Sequence, residues 1–302
     1  MQKWSSRRAL PAFVLALSVL FVSPAEAQRR NCTPVEMRAG DAAIVALSAN
    51  PTAVAAALAA HLPWGAPVST VPTTNEMQLV QADYVINYDA DLRVPIWTAE
   101  RVVAARFDPS VARTDCFRHD PRLNRTTSSV LQDYRGSGHD RGHLAPFANQ
   151  RYSVIAGNNS FILTNMAPQL NAFNSGIWGR LEDKARDWAA RHPNLYVLSG
   201  SVFDRDGDGR RDPDSAARRI TPNGGRRVGI PTHFFKIVAY QGPGGQVESI
   251  AFLLPHNATR PRGPAIAAYL TAHITDIATI ERLTGLDLFP GAARINESRA
   301  LW

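Results

Sequence analysis

The chain has 302 residues, 45% of them hydrophobic and 20% charged, and a formal net charge of +7. That length and apolar content support one large domain or two small ones with real cores, and no repeat or low-complexity tract is visible. With two cysteines, Cys32 and Cys116, a zinc ribbon is excluded because it needs more ligands.

Lys3, Arg7 and Arg8 form a basic start, residues 9–22 an apolar run, and Ala25-Glu26-Ala27 a small-x-small cleavage signal. Residues 1–27 therefore read as a secretory signal peptide rather than part of the fold. The alternative, an uncleaved anchor, is disfavoured by a run short of the roughly 20 residues a spanning helix needs. No later stretch is long and apolar enough to cross a bilayer, so no stable membrane insertion is expected after cleavage. Removing three positive charges and one negative one lowers the net charge by two, to +5. A basic exported chain suits a polyanionic partner, though charge alone is weak support. Export to a periplasm or to the exterior also favours a Cys32–Cys116 disulfide over two unpaired thiols.

Apolar residues at helical spacing across 35–62 predict one or two helices in an N-terminal extension spanning 28–75, with 67–74 as a linker. The β-branched and aromatic runs 84–88 and 96–103, separated by polar 89–93, predict a hairpin. Residues 107–138 form a long polar, Arg-rich stretch of the kind that carries function. A short strand is expected at 161–164. Ile177, Trp178, Leu181, Ala185, Trp188 and Ala189 share one face of a helix over 175–191, stopped by Pro193. Strands follow at 195–203, 232–240 and 247–254, then closing helices at 264–274 and 277–283. The order lacks regular βαβ alternation and favours an α+β fold, with a mixed or antiparallel sheet.

Two polar clusters carry the chemistry. The first is Asp140-Arg141-Gly142-His143, reached through Gly136 and Gly138. The second is Asn165, Asn174, Glu182 and Arg186. Phosphodiester hydrolysis needs a deprotonated water, a cation on the developing charge and help for the leaving alkoxide. His143 is of the right type to be the base. Asn174 offers a neutral oxygen for Mg²⁺, which keeps several waters, or a helix N-cap. Glu182, offset by about 80° from Asn174 on an ideal helix, can border the same groove or pair with Arg186. A zinc reading of His139 and His143 at i, i+4 requires a helix that Gly136, Gly138 and Gly142 oppose. Asp204, Asp206, Asp208 and Asp212 follow a calcium-loop spacing, but Ser215 stands where the bidentate Glu belongs. Structural Ca²⁺ and a solvated loop both stay open there.

The runs Asp133-Tyr134-Arg135-Gly136-Ser137-Gly138, Asp140-Arg141-Gly142-His143-Leu144-Ala145 and Asn165-Met166-Ala167-Pro168-Gln169 resemble the DNA/RNA non-specific endonucleases of the ββα-metal superfamily. The endonuclease G-like branch is the nearest pattern. Asn174, Trp178, Leu181-Glu182, the run from Pro231 to Lys236 and the run from Ile280 to Gly285 extend the resemblance over roughly residues 80–290. It implies a ββα-metal core in an endonuclease domain spanning 76–302, acting on DNA and RNA and leaving 5′-phosphates. It implies His143 as general base, Asn174 as metal ligand and Glu182 as support for the metal's water shell. Arg141, Asn165 and Arg186 would bind or polarise the phosphate. The cofactor would be Mg²⁺, with Mn²⁺ a substitute, and a homodimer is allowed. The upstream phosphate arginine is open among Arg113, Arg118 and Arg135; Arg118 is carried as the substrate contact. His139 replaces the usual apolar residue before the motif. The alternatives are a catalytically silent nuclease-fold binder of nucleic acid and a phosphodiesterase for small substrates.

Overall fold

The computed structural model describes Met1 and residues 30–72, 75–107, 111–221 and 225–302. The signal-peptide reading thus falls, apart from Met1, outside the described residues. Two helices form the N-terminal extension, α1 (Pro34–Ser48) and α2 (Pro51–His61). Their boundaries are written locally. Thr33 accepts from the Glu36 N–H while Glu36 returns to the Thr33 N–H, and Pro34 and Pro51 occupy positions where a missing N–H costs nothing. Asn50 caps α2. Among the described residues no single helix is long and apolar enough to cross a membrane.

The main sheet is built from β1 (Glu76–Val80), β2 (Val85–Asp89), β3 (Val94–Val102), β6 (Leu195–Val202), β7 (His233–Gln241) and β8 (Val247–Pro255). The short β9 (Ile274–Thr275) and β10 (Ile295–Glu297) share the outer edge of β8. Spatial order runs β9-β8-β7-β6-β3-β2-β1, antiparallel throughout, with β10 joining in parallel. A separate two-stranded ribbon pairs β4 (Asp140–His143) with β5 (Met166–Gln169), and α3 (Gly179–Ala189) follows it. Helices α4 (Ala265–Ala272) and α5 (Ile277–Thr284) come after β8. The expected α+β class holds.

Central strands are buried on both faces, which explains why 195–203 and 233–241 read as continuous apolar runs. One face packs Phe234 and Phe252 against Phe173, Trp178 and Trp188. Removing one such ring would cost about 3–5 kcal/mol. Ala99, Leu198, Ile237 and Ala239 face the opposite way, beneath Leu62 and Phe289. His61 closes that side, with Nε2 on the Ala82 carbonyl and Nδ1 accepting from the Arg101 N–H.

Four expectations change. Residues 161–164 are not a strand: Leu163–Asn165 is a 3₁₀ turn, and pairing begins at Met166. The helix at 175–191 opens with a π-turn over Asn174–Trp178, in which Gly176 (φ −102°, ψ −117°) leaves helical space. The 67–74 linker contains Val68–Ser69, paired with Leu286–Asp287. The strand β1 was missed because Glu76 and Gln78 dilute its β-branched character.

Candidate active site

The Asp140–His143 motif is one strand of the two-stranded ribbon. Gly136 (φ +69°) and Gly138 (φ +75°) take left-handed conformations that turn the chain into β4. Arg141 lies opposite Pro168 and His143 opposite Met166. A Cβ at Gly142 would meet the Gln169 side chain at 2.2 Å, so the missing side chain makes the room in which buried Gln169 lies. This extended geometry removes the i, i+4 zinc arrangement of His139 and His143. Asn165 clamps the exit: its Oδ1 accepts from the Ala145 N–H, and its Nδ2 donates to the carbonyls of Ala145 and Ser160.

Across the cleft, the Trp178 indole N–H donates to the His143 carbonyl at 3.0 Å, tying the π-turn to β4. Asn174 donates its Nδ2 to Asp140 Oδ2 at 2.9 Å, and Asn171 donates to the same oxygen. This fixes the Asn174 amide and leaves its Oδ1 as the atom able to hold a cation. Glu182 lies two turns on, but the π-turn breaks the ideal-helix offset expected between them. Even so, His143, Asn174 and Glu182 all line one cleft of about 860 Å³, with Arg113, Arg135 and Arg141.

His143 presses edge-on against Phe161, with ring centroids 4.7 Å apart. Its Nε2 is enclosed and has no hydrogen-bond partner among the described residues. Desolvation, then the charges of Arg113 and Arg141, hold the imidazole well below its ordinary pKa, so it is neutral at pH 7. Arg141 stacks over Phe117 at 3.9 Å. Burial pushes the Glu182 carboxyl up, against the opposing charges of Lys236 and Arg186.

Three residues expected to touch substrate are engaged elsewhere. Arg118 is 6% exposed and lies outside the cleft. Its guanidinium is spent on Asp41, the carbonyls of Cys116 and Asn158, and Asn159 Oδ1. Asn165 is fully buried with both amide atoms bonded to backbone. Arg186 bonds Asp183 and Asn149 Oδ1, replacing the expected pair with Glu182. Of the three upstream candidates, Arg113 and Arg135 face the cleft. The Cys32–Cys116 disulfide forms and fastens the extension beside Arg113 and Phe117. Sequence reading missed Asp140 as the orienter of Asn174, and Trp178 as the brace of His143.

In the Asp204 loop, ligand atoms of Asp204, Asp206 and Asp208 lie within 4.8 Å of one another. Each also accepts a nearby backbone N–H, the Asx-turn pattern. Asp212 does not join them; it turns inward to accept from the Arg205 N–H.

The donor set of the cleft, one amide oxygen and one carboxylate with room for waters, fits a hard hydrated cation and not a soft one. Residues 66–295 match the family model described as DNA/RNA non-specific endonuclease. Human mitochondrial endonuclease G is 34% identical over 222 residues, covering 72% of this chain and 71% of the relative. Nuclease C1 of Cunninghamella echinulata var. echinulata is 31% identical over 224 residues, covering 72% and 84%. A solved structure of the EndoG/EndoGI complex superposes with a TM-score of 0.65 at 26% identity, covering 79% of this chain and 95% of that one. With its fold, its cleft and these likenesses in agreement, the chain belongs to the DNA/RNA non-specific endonuclease family and is a nuclease, a phosphodiester hydrolase of a kind that typically depends on a divalent metal.

Proposed function

We propose that this chain is an exported, Mg²⁺-dependent endonuclease that cuts DNA and RNA without regard to the sugar and leaves 5′-phosphates. The observation that carries the reading is the shared cleft: a half-buried imidazole, its Nε2 enclosed and unpartnered among the described residues, lines the same space as an oriented amide oxygen and a carboxylate. His143 accepts the proton of the attacking water through a ring nitrogen. Its depressed basicity keeps that nitrogen unprotonated at neutral pH. Asn174 Oδ1 and Glu182 would hold the cation, Asn174 directly and Glu182 through waters. When bound, the ion supplies positive charge beside the phosphate and the leaving 3′-oxygen.

Arg141, held flat on Phe117, and Arg113, within reach of the same cleft, would grip the phosphate. Arg113 is the better upstream candidate, because Arg118 has no free donor face. The Cys32–Cys116 disulfide supports passage through an oxidising compartment, consistent with secretion or a periplasm. The basic net charge supports substrate capture dominated by phosphate contacts, with affinity falling as salt rises.

The test is digestion of supercoiled plasmid and of single-stranded RNA. Both should be cut with Mg²⁺ and spared with EDTA. Tight binding without cutting would favour the silent binder, and cleavage of small diesters alone would favour the phosphodiesterase.

A further inference from the structure

Behind the cleft lies a buried ionic cluster that the steps above do not use. Lys236 sits in the middle of β7, 1% exposed, on the sheet face that packs against α3. Its Nζ donates to Ser199 Oγ on β6 and lies 4.2 Å from the centroid of the Trp178 ring. Glu100, on β3 and 2% exposed, shares that face. It accepts from Asn149 Nδ2 and Gln150 Nε2, each at 2.9 Å, and Asn149 in turn accepts from Arg186. Lysine is among the residues least often fully buried, and burying an ammonium costs several kcal/mol unless charges and donors compensate. Here the compensating groups are Glu182, a wall of the cleft, and Glu100 behind it. The same ammonium rests on Trp178, whose N–H holds the His143 carbonyl.

We propose that Lys236 is a positioning residue for the nuclease reaction: its buried ammonium braces Trp178 behind His143 and provides the counter-charge that aims Glu182 into the cleft. The inference rests on the reading of Glu182 and His143 given above. Burial lowers the basicity of the ammonium, and the Glu182 and Glu100 carboxylates oppose that shift. Burial raises Glu100, and Lys236 is the first charge that opposes it. The contacts of Lys236 with Ser199 and Trp178, and the hydrogen bonds running from Glu100 through Asn149 to Arg186, tie this buried cluster together. Without Lys236, Glu182 would keep only the charges of Arg186 and Arg113 around it and would lose its fixed aim into the cleft.

The test is a double-mutant cycle between Lys236→Met and Glu182→Gln, read in kcat and in the Mg²⁺ concentration for half-maximal rate. Direct Mg²⁺ titration of each folded protein by calorimetry, without substrate, is run alongside. Lys236→Met should lower kcat about 30-fold and weaken Mg²⁺ binding, and Lys236→Arg should recover most of both. In the Glu182→Gln background, Lys236→Met should cost several-fold less than it does beside Glu182, the remainder passing through Trp178, because groups in one network do not add. Equal cost in both backgrounds, or unchanged Mg²⁺ binding in Lys236→Met, would overturn the proposal. If Lys236→Met does not fold, Ser199→Ala, which frees the ammonium from its anchor while keeping its charge, replaces it in the cycle. It should show the same loss of effect beside Glu182→Gln, and full additivity would again overturn the proposal. Full activity in His143→Ala would instead sink the mechanism on which the inference rests, whatever Lys236 does.

Discussion

Two polar regions lie within a few residues of each other and are built on opposite rules. Around Arg118, the guanidinium meets a carboxylate, an amide oxygen and backbone carbonyls. Nearby, Asp120 is closed by Arg122 and Thr164, and Asn165 by three backbone groups. Around His143, an enclosed ring nitrogen has no partner among the described residues, and Glu182 is desolvated beside cations that do not pair with it directly. The first region uses its polar groups to hold loops together. The second keeps them under-satisfied, which costs stability and leaves them for substrate. Arg113 and Arg118 illustrate the difference: five positions apart, Arg113 pairs through its Nε with Asp115 and still lines the cleft, whereas Arg118 is held by Asp41, Asn158 and Asn159 away from it.

If that contrast is right, mutations on the two sides should fail differently. On the cleft side, Asn174→Ala should lower kcat by about 100-fold or more while melting near the parent, because Asn174 acts on the cation rather than on the fold. Plasmid-cleavage rates across a Mg²⁺ series, beside a thermal melt, would check this. A large loss of melting temperature would move Asn174 to the structural side. On the structural side, the Cys32→Ser/Cys116→Ser double variant opens a crosslink between residues 84 apart and should lose about 2–5 kcal/mol in urea unfolding. Arg118→Ala should lose about 2–4 kcal/mol by leaving Asp41, Asn159 and two carbonyls short of a donor. Its kcat, measured on the folded fraction, should change by less than about threefold. A large kcat loss with intact stability would return Arg118 to the substrate.

The smallest expected effect concerns pH. Because burial, Arg113 and Arg141 depress His143, the acid limb of kcat/KM should lie below pH 6.5. Arg113→Ala removes one of those charges and should move that limb upward by about one unit or less, whereas Arg118→Ala should leave it in place. Stability should respond to pH through the same group. Below about pH 6.5 the unfolded imidazole binds a proton that the folded one refuses, so this group's contribution falls as pH drops from 6.5 toward the folded value. Replacing His143 should flatten that part of the stability curve.

Much of the frame was legible in sequence because it depends on local pattern. The 84–103 hairpin, the three later strands and the face of α3 all announced themselves by apolar spacing. The motif strand did not, since Asp140-Arg141-Gly142-His143 has no alternation and its partner, Met166–Gln169, lies more than twenty residues on. The fate of Arg118 was also illegible, for its acceptors come from α1 and from Asn158 and Asn159, far off in sequence. The π-turn at Gly176 rearranged the relation of Asn174 to Glu182 in a way no helical wheel shows. One signal was readable and passed over: a single lysine inside the apolar run from Phe234 to Ala239 has nowhere wet to go, so it must have a buried partner.

The mechanism requires that the His143 imidazole perform the proton transfer. The most direct measurement is the rate of plasmid cleavage by His143→Ala at saturating Mg²⁺, with calorimetry to show that the cation still binds. The expected result is an undiminished Mg²⁺ titration and a rate lowered by about 10³-fold. Cleavage at the parental rate would contradict it.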